Sequence, residues 1–271
     1  MNKLVLIVML LAASSANAIS LMTINTEFLW DNLEPHEGRV ISAKNAPSEK
    51  EYSNELRYYS KLIKEQKRDI VGITEIEGCH VARSLAKMLG SSWVSVCKKG
   101  RDSSTGQDVA ILSRMYVIWD SVDNHKFSHS RITSGPKKGK KVRPSKALSV
   151  VVSRNGIKYL VTVAHLISRR YENDPKREAQ ARAISKTANR IGKKFDVHHT
   201  IIMGDLNDYP SSKTLSILKN DKLVNQAGGW DCSYTYKGNC KLIDHILTSE
   251  SLGQMKFETH AIPKKFSDHK A

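Results

Sequence analysis

The chain reads as an α/β protein in which two sheets stack and helices cover them, within one domain. Three observations lead there. Short apolar stretches of strand character recur along nearly the whole length, amphipathic stretches of helical period lie between them, and no repeat or Pro/Gly-rich linker divides them. At 40% hydrophobic and 26% charged residues, global disorder and collagen-like structure are excluded. The 271 residues suffice to bury a core without a metal or a disulfide.

The first element stands outside that fold. Lys3 precedes an apolar run from Leu4 to Ala13, then Ser14 and Ser15, then Ala16-Asn17-Ala18, a small-x-small cleavage pattern. The run is about ten residues, too short for a bilayer core of roughly 30 Å. Residues 1–18 are therefore expected to be a signal peptide and residues 19–271 a single domain, periplasmic or secreted. No later stretch reaches membrane-span length, so no integral membrane association is expected, and the chain is taken as a monomer.

Strands are expected at Leu21–Asn25, Ile70–Thr74, Trp93–Cys97, Val109–Ser113, Ala147–Ser153, Tyr159–His165, Thr200–Met203 and Leu242–Leu247. Helices are expected at Glu51–Gln66, where Leu56, Tyr59, Leu62 and Ile63 share a face, and at Val81–Leu89 and Lys176–Lys194. Arg154-Asn155-Gly156 signals a hairpin turn. Cys79, Cys97, Cys232 and Cys240 are an even set without a CxxC pair, which argues against a zinc ribbon or a thioredoxin-type site. Of three connectivities, Cys79–Cys97 and Cys232–Cys240 are favoured because each joins sequence neighbours across a turn. The formal charge is +16, or +15 once Lys3 is lost. Its densest segment, Pro136–Lys146, holds Lys137, Lys138, Lys140, Lys141, Arg143 and Lys146 with no acid. Such a run is either a solvated loop or a phosphate-backbone contact.

The chemistry lies where strands end. Asn25 and Glu27, Glu75, His165, and Asp205 with Asn207 each follow or close an apolar strand. Asp244-His245 interrupts another, and Asp268-His269 lies at the C-terminus. Ligands gather outside strand ends in sheet-based enzymes, so this series suggests one site. Glu75, Asp205, Asn207 and Asp268 offer hard oxygens suited to Mg²⁺, Mn²⁺ or Ca²⁺ rather than zinc. His165 and His269 could supply a general acid and base near neutral pH, oriented by Asp244 and Asp108. Oxygen-held metal, paired histidines and a basic surface together describe phosphodiester hydrolysis. Among other polar and aromatic residues, His198-His199 reads as surface and Glu27 as a supporting or structural carboxylate. Trp30, Trp93, Trp119 and Trp230 read as core or rim, and Tyr234 and Tyr236 as ordinary strand alternation.

The motifs T-I-N-T-E at 23–27, I-T-E at 73–75, V-A-H-L at 163–166, G-D-L-N at 204–207, D-H-I-L at 244–247 and S-D-H at 267–269 resemble the endonuclease/exonuclease/phosphatase superfamily, in its deoxyribonuclease I-like branch. They occur in that superfamily's order and span residues 21 to 271. The resemblance implies a four-layer α/β sandwich of two stacked, mainly antiparallel sheets flanked by helices. It implies that Asn25, Glu75 and Asp268 serve a divalent metal, Mg²⁺ first. Asp205 and Asn207 position water and phosphate, His269 activates water with Asp244 orienting it, and His165 helps protonate the leaving oxygen. Arg143 corresponds to a phosphate-contacting arginine. Two departures stand out. The superfamily continues past S-D-H into a closing strand where this chain has Lys270-Ala271: either that edge strand is absent or the sequence is cut short, and His269 would then be poorly held. Thr23-Ile24 also precede Asn25 where an aromatic is common.

Three functions compete. A metal-dependent nuclease acting on DNA, or on RNA, accounts for both site and charge. A sphingomyelinase-like or inositol-phosphate enzyme would want an exposed aromatic cluster for lipid, and none is apparent. A decayed nucleic-acid-binding protein ranks last, since all six motif positions keep chemically competent residues.

Overall fold

Most strands carry apolar side chains on both faces, so each sheet has to be covered twice. The computed structural model describes residues 19–33, 47–102, 105–169, 173–220, 222–227 and 232–271. The expected leader with its cleavage site, and Trp230, lie outside the described residues.

The first half comprises β1 (Leu21–Leu29), α1 (Glu49–Glu65), β2 (Ile70–Ile76), α2 (Gly78–Leu89), β3 (Val94–Cys97) and β4 (Asp108–Ser113). Its sheet runs β1-β2-β4-β3, with only β1 and β2 parallel. The second half comprises β5 (Tyr116–Asp123), β6 (Ser130–Arg131), β7 (Lys141–Val142), β8 (Lys146–Arg154), β9 (Ile157–His165), α3 (Asp174–Phe195), β10 (His199–Asp205), α4 (Lys213–Lys219), β11 (Leu223–Asn225), β12 (Tyr234–Tyr236), β13 (Asn239–Lys241) and β14 (Asp244–Ser249). Its large sheet runs β11-β14-β10-β9-β8-β5, antiparallel except between β9 and β10. The β6–β7 and β12–β13 pairs stand apart as two-stranded ribbons.

Strict alternation along the strands sorts side chains into layers. Ile70, Val109 and Ile111 point between the sheets and meet Leu148, Val150, Val161, Val163, Ile201 and Met203. Val71 and Ile73 point outward onto Tyr59 and Ile63 of α1 and Val81 and Leu85 of α2. Across the molecule Ile184 of α3 and Leu215 of α4 cover Ala164, Ile202 and Leu247. The order is thus helices, sheet, sheet, helices, as the resemblance implies. At Gly72 a Cβ would come within 2.7 Å of Val163 Cγ2, so the close approach of the sheets at this point depends on a missing side chain.

The eight strands and three helices read from the sequence are all present, with ends displaced by a few residues. Asn155 and Gly156 both take positive φ in the two-residue β8–β9 turn, the backbone an Asn-Gly hairpin needs. Two features of the C-terminal third differ from expectation. Tyr234 and Tyr236 lie on a separate short strand, and the strand expected from Leu242 begins at Asp244. Strand β5 leaves Tyr116 75% and Trp119 58% exposed, and the following turn leaves Phe127 85% exposed. Trp119 therefore lies at the surface rather than in the core. Trp30 is buried, and Trp93 packs against the first sheet's helices. Both favoured disulfides form, Cys79–Cys97 and Cys232–Cys240, with Cα–Cα distances of 5.3 and 5.4 Å.

Candidate active site

Local backbone departures deliver the polar side chains to one end of the sandwich. In β1 the pairing with β2 is regular to Asn25 and then shifts, with Glu27 and Phe28 at positive φ. In β2 a bulge opposite β4 falls between Thr74 and Ile76, and Glu75 between them takes φ 65°. Bulges re-aim single side chains, and a non-glycine residue held at positive φ costs about 1–3 kcal/mol, which the surrounding structure must supply. At Gly204 a Cβ would lie 2.2 Å from the Ala164 carbonyl oxygen, so only glycine lets β10 run this close to β9 and end at Asp205. Asp205 then sits opposite Asp244 in the β10–β14 register, and His165 closes β9.

These side chains converge. Asn25 Nδ2 donates to Glu75 Oε1 at 3.1 Å and to Asp205 Oδ2 at 3.0 Å. His165 Nε2 lies 3.6 Å from each of the same two oxygens. From the other side His269 Nδ1 donates to Asp244 Oδ2 at 2.7 Å, and its Nε2 faces Asp205 at 4.0 Å and Asp268 at 3.7 Å. Asn207 donates its backbone N–H to Asp205 Oδ1 at 2.9 Å and its side-chain amide to the Leu166 carbonyl at 3.1 Å. Asn25, His165, Asp205, Asn207, Asp244 and His269 are all buried, whereas Asp268 and Glu75 are partly open.

Crowded carboxylates shift one another. Burial, then the neighbouring Asp244 charge, pushes Asp205 up to about 8. Burial also raises Glu75, against the opposing pull of Lys146. Burial and the Lys146 charge hold His165 well below its ordinary range. For His269 burial works against charge, yet the carboxylates of Asp244, Asp205 and Asp268 lift it to about 10. Four carboxylates and two imidazoles this close are short of positive charge, and Glu75 with His165 and Asp205 brings ligand atoms within 4.8 Å of one another. That donor set, dominated by carboxylate oxygen, fits a hard divalent cation.

The structure brings together Asn25, Glu75, His165, Asp205, Asn207, Asp244, Asp268 and His269. Lys137, Lys138 and Lys140 lie exposed on the β6–β7 turn, Lys141 is exposed at the start of β7, and Arg143 is exposed just after that strand. Lys146 is the member of that basic run that reaches inward: its Nζ donates to Gln107 Oε1 at 2.9 Å and pairs with Asp102 at 3.3 Å. Gln107 in turn donates to Glu75 Oε2. Asp108 accepts from the Gly100 backbone at 2.7 Å, and Glu27 accepts from the Asp268 backbone at 2.8 Å. His269 is firmly held, against expectation. Ser267 Oγ accepts its backbone N–H at 3.0 Å and donates to the Asn25 carbonyl, while Tyr234 forms an isolated β-bridge with it and packs its ring 4.7 Å away. Tyr234 is thus a support of the site rather than plain strand alternation. Lys146, Gln107 and Ser233 carried no sequence signal that set them apart, whereas Ser267 opens the S-D-H motif. A separate cavity of about 540 Å³ runs beside β1, between Leu21, Phe257 and Ala271, and meets this cluster only at its Asp244 edge.

A model of the endonuclease/exonuclease/phosphatase family matches residues 22–269. The chain belongs to that family. No curated protein matches it in sequence. Solved structures with the same fold include a beta toxin of Staphylococcus aureus, at TM-score 0.59 and 18% identity, covering 93% of this chain and 98% of that one. Truncated TDP2 of Caenorhabditis elegans aligns at TM-score 0.57 and 19% identity, covering 93% and 94%. A mannosyl-6-phosphatase of Bacteroides thetaiotaomicron aligns at TM-score 0.57 and 13% identity, covering 93% and 97%. Likeness at such identity speaks to the fold. Family membership makes the chain a hydrolase of phosphoester bonds, and enzymes of this family are typically dependent on a divalent metal. Among the described residues no helix is long and apolar enough to cross a membrane, and the two disulfides are compatible with an extracellular location.

Proposed function

We propose that this family member is an exported, metal-dependent nuclease that hydrolyses DNA phosphodiester bonds, with residues 1–18 as its leader and residues 19–271 as one monomeric domain. The observation that carries the reading is the His269–Asp244 pair facing His165 across buried Asp205. Asn25, Glu75 and Asp268 would hold Mg²⁺, with Mn²⁺ or Ca²⁺ as alternatives. When bound, the ion supplies charge to offset the phosphate and the carboxylates. Asp244 fixes the imidazole of His269 by accepting a hydrogen bond from its Nδ1–H, which leaves Nε2 to take a proton from the attacking water. Asp205 and Asn207 orient water and phosphate. His165 is held neutral by burial and by Lys146, and a phosphate anion seated beside it favours its protonated form, ready to serve the leaving oxygen. Lys137, Lys138, Lys140, Lys141 and Arg143 would lie along the nucleic-acid backbone.

A second reading of the same site is a phosphodiesterase of lipid headgroups. Purified protein assayed on plasmid DNA, RNA, sphingomyelin vesicles and phosphoinositides decides between them. Mg²⁺-dependent cleavage of DNA, abolished by EDTA and not restored by zinc, is expected. Full activity in EDTA overturns the metal assignment, and preference for sphingomyelin overturns the nuclease assignment.

A further inference from the structure

The His269–Asp244 pair hangs on a small ribbon. β12 and β13 pair through Tyr234↔Lys241, Thr235↔Cys240 and Tyr236↔Asn239, and the Cys232–Cys240 disulfide closes them. Three residues per strand, outside both large sheets and exposed at Thr235 and from Lys237 to Cys240, make little core. A two-stranded ribbon is marginal in water by itself. Yet this one registers both members of the pair. Ser233 Oγ accepts from the backbone N–H of Ile243 and of Asp244, each at 3.0 Å. The Ser233 carbonyl accepts from Lys270 at 2.7 Å, and Tyr234 bridges to His269.

The two disulfides differ in setting. Cys79–Cys97 joins half-buried residues between α2 and β3, with Cys97 packed against the core. Cys240 is exposed, so the second bridge is open to an attacking thiolate.

We propose that Cys232–Cys240 is a redox gate on the active site, closed to catalysis when a dithiol reductant opens it. The proposal rests on His269–Asp244 being the water-activating pair. In the exchange a dithiol thiolate attacks one cysteine sulfur, the S–S bond breaks to a mixed disulfide, and the second thiol resolves it. Two electrons and two protons pass from the dithiol, leaving two cysteine thiols and the dithiol's own disulfide. Freed of its closure, the ribbon no longer holds Ser233 and Tyr234 in register, and Asp244 and His269 lose their alignment. A nuclease gated this way stays idle in a reducing compartment, among the producing cell's own nucleic acids, and becomes active once oxidised.

The test uses the full mature protein, with bis(p-nitrophenyl) phosphate and Mg²⁺ for turnover and amide hydrogen exchange at Asp244 and Lys270 as a readout that needs no substrate. Dithiothreitol should cut kcat by about 10-fold or more with KM little changed, and speed exchange at both amides, reversibly on reoxidation. A Cys232→Ser/Cys240→Ser double variant should sit at the reduced values and ignore dithiothreitol, while Cys79→Ser/Cys97→Ser keeps the response. Wild-type kcat and exchange in the first variant, or a response lost only in the second, overturns the gate. Should the first variant fail to fold, alkylation mapping of partly reduced wild-type protein assigns the loss to one bridge. Loss that tracks Cys79–Cys97 overturns the proposal. No turnover in the oxidised protein, with the exchange response intact, overturns the phosphodiesterase reading instead and keeps the coupling of ribbon to pair.

Discussion

His269 concentrates the chemistry in one ring. Three carboxylates lift it to about 10 despite burial, so in the metal-free protein it is charged at neutral pH and cannot take a proton from water. A divalent ion held by Asn25, Glu75 and Asp268 would offset those carboxylates. The His269 midpoint, followed by NMR, should therefore lie near 10 in EDTA and drop when Mg²⁺ is added. A midpoint indifferent to Mg²⁺ would count against an ion at this place. His269→Ala and His165→Ala should each lower kcat by about 10² or more with circular dichroism unchanged. Near-normal turnover in either would remove that ring from the mechanism. Much of this cluster was legible because Asn25, Glu75, His165 and Asp205 interrupt apolar strands, and a polar residue at a strand end is visible as a break in period. Lys146 was not separable from its basic neighbours, because what distinguishes it is pairing with His165 in the β8–β9 ladder. Gln107 and Ser233 act through one amide and one hydroxyl, residue types too common in loops to signal anything.

Helix α3 acts on the site from below. Arg177 is fully buried, and its guanidinium ties Asp208 at 3.0 Å, the Ile167 carbonyl at 3.2 Å and Asp174. It thereby clamps the loop after His165 to the loop after Asn207. Arg177→Met should cost about 1–3 kcal/mol in chemical denaturation, because it removes one of the two guanidinium partners of Asp208 and the bond to the Ile167 carbonyl, while Arg169 stays paired with Asp208. A loss below about 1 kcal/mol would show that the clamp is dispensable. A second element-level effect is pH dependent. His125 is fully buried, with Nε2 at 2.8 Å from Ser149 Oγ, which in turn meets Thr162 across β8 and β9. Burial lowers it to about 4 from 6.5. The unfolded chain therefore takes the proton first as pH falls, and stability present above 6.5 is lost between 6.5 and about 4, by up to about 3 kcal/mol. In His125→Gln the loss of stability between pH 7 and pH 4 should shrink; equal slopes would refute the assignment. Central strands such as β8 and β9 were readable because nearly unbroken apolar runs leave no other option. Strand β5 was not, since Trp119, Asp120 and the exposed Tyr116 belong to an edge strand whose outer face meets water, and β12–β13 are held more by a disulfide than by pattern.

At the scale of the whole molecule, an excess of +16 has to be carried somewhere, and its distribution separates a polyanion enzyme from one acting on small or lipid substrates. The buried cluster is itself rich in carboxylate, so attraction for a polyanion must come from the surface around it. The β6–β7 turn is the densest exposed source: Lys137, Lys138, Lys140 and Lys141 all face solvent, and the ribbon is pinned beneath by Ile132 and Val142 against Ala179 of α3. Four lysines on a ribbon anchored to the core can be removed without loosening the sandwich. If each touches one phosphate, the slope of log affinity for duplex DNA against log salt should become shallower by up to about 3.6 units in Lys137→Ser/Lys138→Ser/Lys140→Ser/Lys141→Ser. Hydrolysis of a small phosphodiester should change little, since that substrate does not extend to the turn and Lys146 still supports Glu75. A lipid or inositol-phosphate enzyme would instead bind DNA weakly before any substitution and cut it poorly at physiological salt. An unchanged salt slope in the four-site variant would show that the turn is solvated surface and that DNA, if bound, is held elsewhere.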